Sequence, residues 1–378
     1  MTSLTINRTK AFLDDLETIV NIDSSSDNLD GIEAVARFFE SRFVALGLNV
    51  KIRKVGEKQV PCLLAIGPGS EEPYDIMFLG HMDTVFPKGE AIRRPFSKDG
   101  QRAYGPGVCD MKGGLLVVLH TLELMAEQGK LDEFSFCVLF NGDEEIGSEA
   151  SSALIAKTAK KTGLVFVFEP CRPGYRFVLR RKGGGWFFVE AEGRASHAGA
   201  DPEKGCNAVH EIARQVIKIH QLNDPEKGTS AHVTVISGGD KINIIPDKAW
   251  IAVDVRILKA SEKKGVEEFF NTLPDSTNID GVRLTVKGHI ERSPMEPDER
   301  ALAVWEIIRS NAAGIGIDAK YIATGGCSDG NITSSHGTAT IDGMGTVGAN
   351  SHSVDEYIEI DSINNILHIV FQTCIARP

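Results

Sequence analysis

The chain has 378 residues, 42% of them apolar and 25% charged, and its 41 Lys and Arg stand against 52 Asp and Glu for a formal net charge of -11. At roughly 150 residues per domain this length predicts two or three domains, and the composition excludes a disordered, collagen-like or low-complexity chain. No run of roughly 18 apolar residues occurs, so a transmembrane helix is not expected, and the acidic balance argues against nucleic acid or an anionic membrane as partner.

The first 20 residues, MTSLTINRTKAFLDDLETIV, read as helical and lack a signal-peptide apolar region, which predicts a cytoplasmic protein. Ile32, Val35, Phe39 and Phe43 recur at helical spacing, and Gly47 stands where that helix would stop. Short apolar runs then follow at 75–80 (DIMFLG), 134–140 (FSFCVLF) and 164–168 (LVFVF), with a helix expected over 114–127. Strands apolar on both faces that alternate with helices predict a mostly parallel sheet sandwiched by helices, an α/β fold.

Near residue 180 the pattern changes. Strands at about 185–191, 231–237, 249–257 and 282–288, with helices at 206–220 and 261–272, give the order βαββαβ of a ferredoxin-like unit. In the third of these strands Trp250, Ala252, Asp254 and Arg256 share one face, while Ile251, Val253, Val255 and Ile257 line the other. A helix face of Ala301, Val304, Ile307 and Ile308 follows, then mixed α/β to Pro378. The expected organisation is a discontinuous first domain, 1–180 plus 290–378, with a smaller domain, 181–289, inserted into it.

Polar residues gather at the ends of the buried strands. His81 and Asp83 (GHMD) fall on one side of the chain, and a carboxylate beside a ligating imidazole fixes its tautomer, although an HxD is also an ordinary turn. The loop from Gly105 to Gly114 is glycine-rich, but Asp110 at its centre would repel phosphate and suits a cation. Glu144 and Glu145 (NGDEEIG) point in different directions, so one can bind a metal while the other acts as a base; an acidic surface turn is the plainer alternative. Glu169 ends the third buried strand. Ligands of open α/β sheets collect at the carboxyl ends of strands, and this many carboxylates in one place call for divalent cations. His352 in a polar loop and His197 in the insert add imidazoles. The seven cysteines are scattered without a CxxC pair, which speaks against a disulfide scaffold or a thiolate zinc site.

The ordered motifs GHMDTVF, YGPGVCDMKGG, NGDEEIGS, FEP, GRASHAG and NSHSVDE resemble those of the dizinc M20 metallopeptidases, in particular the glutamate carboxypeptidases of the carboxypeptidase G2 type. The resemblance spans roughly residues 75–360 and makes the βαββαβ insert a lid and dimerisation domain of a homodimer. It implies two Zn2+ per subunit, with Co2+ or Mn2+ as alternatives. His81, Asp110 and Glu169 would hold one ion, and Asp110, Glu145 and His352 the other. Asp83 would orient His81, Glu144 would be the general base, and a cis peptide would follow Asp110. His197 would polarise the scissile carbonyl in the partner subunit's site. Asn243 and Arg256 resemble residues that bind the substrate carbonyl and free carboxylate, and Arg176 and Arg292 fall where glutamate-selective relatives carry basic residues. The implied reaction releases a C-terminal amino acid, such as glutamate, from a peptide or N-acyl amino acid. An N-acyl-amino-acid deacylase of the acetylornithine, succinyl-diaminopimelate or aminoacylase sort shares the same machinery. A non-catalytic protein that lost its metals conflicts with the intact ligand set, and a single-strand nucleic-acid binder conflicts with the acidic balance.

Overall fold

The computed structural model describes residues 6–376. The chain divides into two compact units, one running to Leu179 and resuming over Pro297–Ala323 and from Ser328 onward, the other comprising Arg180–Glu296 with Thr324–Cys327.

The first unit is built on a six-stranded sheet in the order Asn49–Val55, Val60–Ile66, Phe136–Asn141, Tyr74–His81, Thr162–Val167, Ala339–Ile341. The last four strands are mutually parallel, and the first two form an antiparallel hairpin on the edge. That hairpin has no counterpart in the expected run of buried strands, because Asn49–Val55 carries Lys51, Arg53 and Lys54 and stays largely exposed, as an edge strand can. In the central strand Ile76, Met77, Phe78 and Leu79 are all buried, and alternate side chains enter two different cores. Ile76 and Phe78 meet the larger core, built with Phe39, Leu115, Val118 and Ile366; Met77 and Leu79 meet the smaller, built with Ile155 and Ala159. The sheet is thus covered on both faces, as its two-sided apolarity requires.

Helix Gly113–Glu127 is apolar nearly all round and buried for most of its length. Its start presses on the strand end that leads to Glu169: a Cβ on Gly114 would lie 1.9 Å from the Phe168 carbonyl oxygen, so only glycine permits the approach. The N-terminal helix runs Thr9–Val20, and residues 1–5 of the stretch expected to be helical lie outside the described range. In helix Glu299–Ala313 the core-facing residues are Ala301, Val304, Trp305, Ile308 and Ala312. Ile307 is only partly buried, because it lies on the flank of that face, while Trp305 points inward and packs on Phe177 with ring centroids 5.9 Å apart.

The second unit carries a four-stranded antiparallel sheet in the order Ser230–Gly238, Lys248–Ile257, Gly183–Glu192, Arg283–Arg292. With helices Ala208–His220 and Glu262–Thr272 between strands, this is the ferredoxin-like βαββαβ order. Val253, Val255 and Phe187 pack under the helices, where Phe187 and Phe270 stack with centroids 3.9 Å apart. The expected boundary at 289/290 falls inside strand Arg283–Arg292, which pairs with Gly183–Glu192 over nearly its whole length. A chain break there would cut a continuous ladder, so this unit extends to Glu296.

Candidate metal centre

Because the parallel strands end level with one another, their carboxyl-terminal residues share one edge. His81 lies in register with Asn141, and Leu79 with Val167. The chain therefore delivers His81, the turn carrying Glu144 and Glu145, and Glu169 to the same place. The turn after Gly107 adds Asp110, and the loop 350–356 adds His352.

The distances define two groups that share Asp110. His81 Nε2 lies 3.2 Å from Asp110 Oδ1 and 3.6 Å from Glu169 Oε1. His352 Nε2 lies 3.4 Å from Asp110 Oδ2 and 3.0 Å from Glu145 Oε2. In each of the groups His81–Asp110–Glu169 and Asp110–Glu145–His352, one ligand atom per residue falls within 4.8 Å of the others, a spacing that could hold a metal ion. His81 is buried, whereas His352 is exposed and takes a left-handed φ of 66°.

His81 Nδ1 is 2.9 Å from the main-chain carbonyl of Asp83, an acceptor only, so this nitrogen carries a proton and Nε2 is the nitrogen that faces the carboxylates. The Asp83 carboxylate stands further off, at 3.4 Å. Its hydrogen bonds go elsewhere: Oδ1 accepts from Glu144 N at 3.2 Å, and Oδ2 from Glu145 N at 3.1 Å and from the Ser26 hydroxyl at 2.7 Å. Orientation of His81 comes first from the Asp83 backbone, and the Asp83 side chain holds the Glu144–Glu145 turn. The peptide between Asp110 and Met111 is cis, as the resemblance implied.

The electrostatics of the site are dominated by crowded acids. Burial opposes charge on His81, but Asp110, Asp83 and Glu169 override it and raise its pKa well above the ordinary imidazole value. Asp110 and Glu145 push His352 up to about 10. Burial would raise Asp110 too, yet His352 and His81 hold it well below the carboxylate range. Glu144 moves the other way: burial and the neighbouring Glu169 charge raise it well above its usual value. Glu145 is raised by burial as well, and its Oε1 finds no hydrogen-bond partner among the described residues.

Other expected residues lie apart from this cluster in the chain. Arg176, in the first unit, begins a strand, is exposed and donates from Nε to the Pro173 carbonyl. His197, Asn243, Arg256 and Arg292 belong to the second unit. His197 Nδ1 accepts from Gly199 N at 3.2 Å and Ala200 N at 3.0 Å, which leaves the proton on Nε2 as an exposed donor. Asn243, also exposed, accepts at its carbonyl from Ala198 N. Arg256 is gripped by Asp254 through two 2.8 Å bonds, and Arg292 ends its strand.

Two residues near the cluster carry roles that residue type alone did not signal. Asp329, buried, accepts from Asn141 Nδ2 at 2.9 Å and from the Ser148 hydroxyl, tying together both ends of the turn that bears Glu144. Glu356, also buried, receives three backbone N–H groups of the turn that bears Asp110. Position in the motif NSHSVDE was the one available hint for Glu356.

With this geometry in view, comparison with known proteins is informative. The sequence profile of peptidase family M20/M25/M40 matches residues 77–375. The chain belongs to this family. It is 33% identical over 373 residues to carboxypeptidase G2 of Pseudomonas sp. (strain RS-16), covering 95% of this chain and 87% of that protein. It is 27% identical over 317 residues to a succinyl-diaminopimelate desuccinylase of Roseobacter denitrificans, covering 77% and 80% respectively. Among solved structures, aminopeptidase PepT of Bacillus cereus superposes with a TM-score of 0.80 at 21% identity, over 97% of this chain and 98% of that one, a likeness of fold. As an M20 peptidase the protein is a hydrolase. No helix among the described residues is long and apolar enough to cross a membrane.

Proposed function

We propose that the protein is a dizinc exopeptidase that releases a C-terminal amino acid, glutamate foremost, from a peptide or N-acyl amino acid. The observation that carries the reading is Asp110, whose two oxygens face different imidazoles and so join the two ligand groups. The donors fit the metal: imidazole nitrogens and carboxylate oxygens without thiolate suit Zn2+, with Co2+ or Mn2+ as substitutes. The crowded carboxylates around His81 Nε2, and the unpartnered Glu145 Oε1, are both satisfied by cations placed among them. In this reading His81, Asp110 and Glu169 hold one ion, and Asp110, Glu145 and His352 the other.

Bound there, the two ions supply Lewis acidity toward the scissile carbonyl and toward a water molecule. Glu144, beside the ligands but not among them, takes the proton of the attacking water and passes it to the leaving amine. The Asp83 carboxylate keeps the Glu144 backbone in place. His197 presents its Nε2–H to the substrate carbonyl of a neighbouring subunit, so the working form is a homodimer. Asn243 binds the substrate carbonyl, and Arg256, Arg292 and Arg176 receive its carboxylates. Seven free cysteines suit a reducing, cytoplasmic setting.

Support for the carboxypeptidase direction is the likeness to carboxypeptidase G2. The likeness to a succinyl-diaminopimelate desuccinylase favours a second reading, an N-acyl-amino-acid deacylase. The two separate in a panel of N-acyl amino acids and dipeptides assayed with zinc-loaded protein, varying one side at a time. A kcat/KM led by N-acyl-glutamate and dipeptides ending in glutamate supports the first; preference for acetylornithine or succinyl-diaminopimelate replaces it with the second.

A further inference from the structure

Glu356 is buried to the last atom, and among the described residues no ion pair neutralises it. Three backbone N–H groups of one turn converge on it instead. Oε1 accepts from Cys109 N and from Asp110 N, both at 2.8 Å, and Oε2 accepts from Gly107 N at 3.1 Å. The turn starts at Gly107 with a left-handed φ of 73° and closes through Lys112 N to the Gly107 carbonyl, which leaves these N–H groups pointing inward together. Three donors and no acceptor match a carboxylate, which only accepts; an amide would aim its own N–H at one of them. Bonds of this charge-assisted kind are about twice as strong as neutral ones.

The position of Glu356 in the chain adds a second link. It lies four residues after His352, in a loop tied by Ser353 N to the Asn350 carbonyl and Glu356 N to the Ser353 carbonyl. One short segment therefore places His352 beside the Asp110 side chain and, from behind, grips the Asp110 backbone.

We propose that Glu356 is the positioning residue for Asp110, the carboxylate common to both ligand groups, and that it sets the affinity of both ions at once. This rests on the binuclear centre proposed above. Because Asp110 is shared, the effect of loosening it differs from loss of any ligand confined to one group.

The test is calorimetric titration of metal-free wild type, E356Q and E356D with Zn2+, together with the visible spectrum of the Co2+-loaded forms. E356Q is expected to weaken both binding steps in parallel, by about 10- to 100-fold, as loss of a group that orients a metal ligand does, and to change the Co2+ spectrum. E356D keeps a carboxylate one methylene shorter and is expected to recover part of the affinity; should E356Q not fold, E356D alone must still bind more weakly than wild type in both steps. E211Q is the control, since Glu211 is a buried carboxylate that likewise accepts backbone N–H groups, from Asn278 and Ile279, in the second unit. It should lower the thermal midpoint and leave both metal affinities unchanged. Wild-type affinity in E356Q and E356D overturns the proposal, as does loss of a single step, which would mean that Glu356 acts through His352 alone. A wild-type protein that takes up no divalent cation would overturn the metal centre itself.

Discussion

Removing one oxygen acceptor from Asp83 separates two roles that sequence reasoning cannot tell apart. Asp83 is buried and accepts from Glu144 N, Glu145 N and the Ser26 hydroxyl, while its carboxylate stands 3.4 Å from His81 Nδ1. In D83N one oxygen becomes an NH2 donor. The Ser26 hydroxyl can turn to accept from it, but whichever oxygen is replaced, one backbone N–H of the turn then faces another donor. The loss of a hydrogen bond to a charged acceptor costs about 1.5–3 kcal/mol. At roughly 2–4 °C per kcal/mol for a unit of this size, the metal-free protein should melt roughly 3–12 °C lower. If the carboxylate served only to orient His81 on a metal, no backbone hydrogen bond of the turn would be lost, and the midpoint of metal-free D83N would stay at the wild-type value. Differential scanning calorimetry of chelator-treated wild type and D83N reads the shift directly, and an unchanged or raised midpoint would refute the holding role.

Other expectations are more direct. E144Q should retain its metal content by elemental analysis while kcat falls by about 10²–10⁴-fold, the range of general acid–base catalysis; an unchanged kcat removes Glu144 as base. Burial opposes ionisation of Glu211, yet hydrogen bonds from Gln215, Asn278 and Ile279 hold its pKa below the ordinary 4.5. A depressed carboxylate stabilises the fold above its unfolded pKa and loses that contribution as pH falls through the lower folded value. Unfolding of the second unit should therefore become easier below about pH 4.5, and E211Q should flatten this limb of the curve; an identical pH dependence in the variant would remove the assignment. F270A deletes the ring stacked on Phe187 and should destabilise the second unit by about 3–5 kcal/mol in urea titration, while zinc content stays at the wild-type level.

Much of the molecule was legible because local chemistry and periodicity agreed with the final environment. Within DIMFLG the stretch Ile76–Gly80 is apolar throughout, as a strand covered on both faces requires, and the central strand is so placed. The alternation in Lys248–Ile257 assigned its two faces correctly, since a strand has no other way to segregate them. The candidate ligands His81, Asp110, Glu145, Glu169 and His352 were nameable because the acidic and histidine motifs gather where a cation is called for, and the resemblance of those motifs in order to the M20 family picks out the set. By contrast, the inward turn of Trp305 onto Phe177 and the partial burial of Ile307 were not legible, since the width of the buried helix face depends on what packs against it.

What the sequence by itself determined is the type of the main buried elements, the insert of four strands and two helices, and the set of side chains able to meet a metal. Tertiary structure alone decided how those side chains are held. The Asp83 carboxylate grips the Glu144–Glu145 turn 61 residues away, and Glu356 grips the turn of Asp110 across 246 residues. Such contacts leave no periodicity, because a carboxylate receiving backbone N–H groups depends on where the two segments meet and not on which side chains the donors carry. The same reason separates the candidate ligands, which the motifs name, from the groups that accept the backbone N–H groups of their turns, which only the fold reveals.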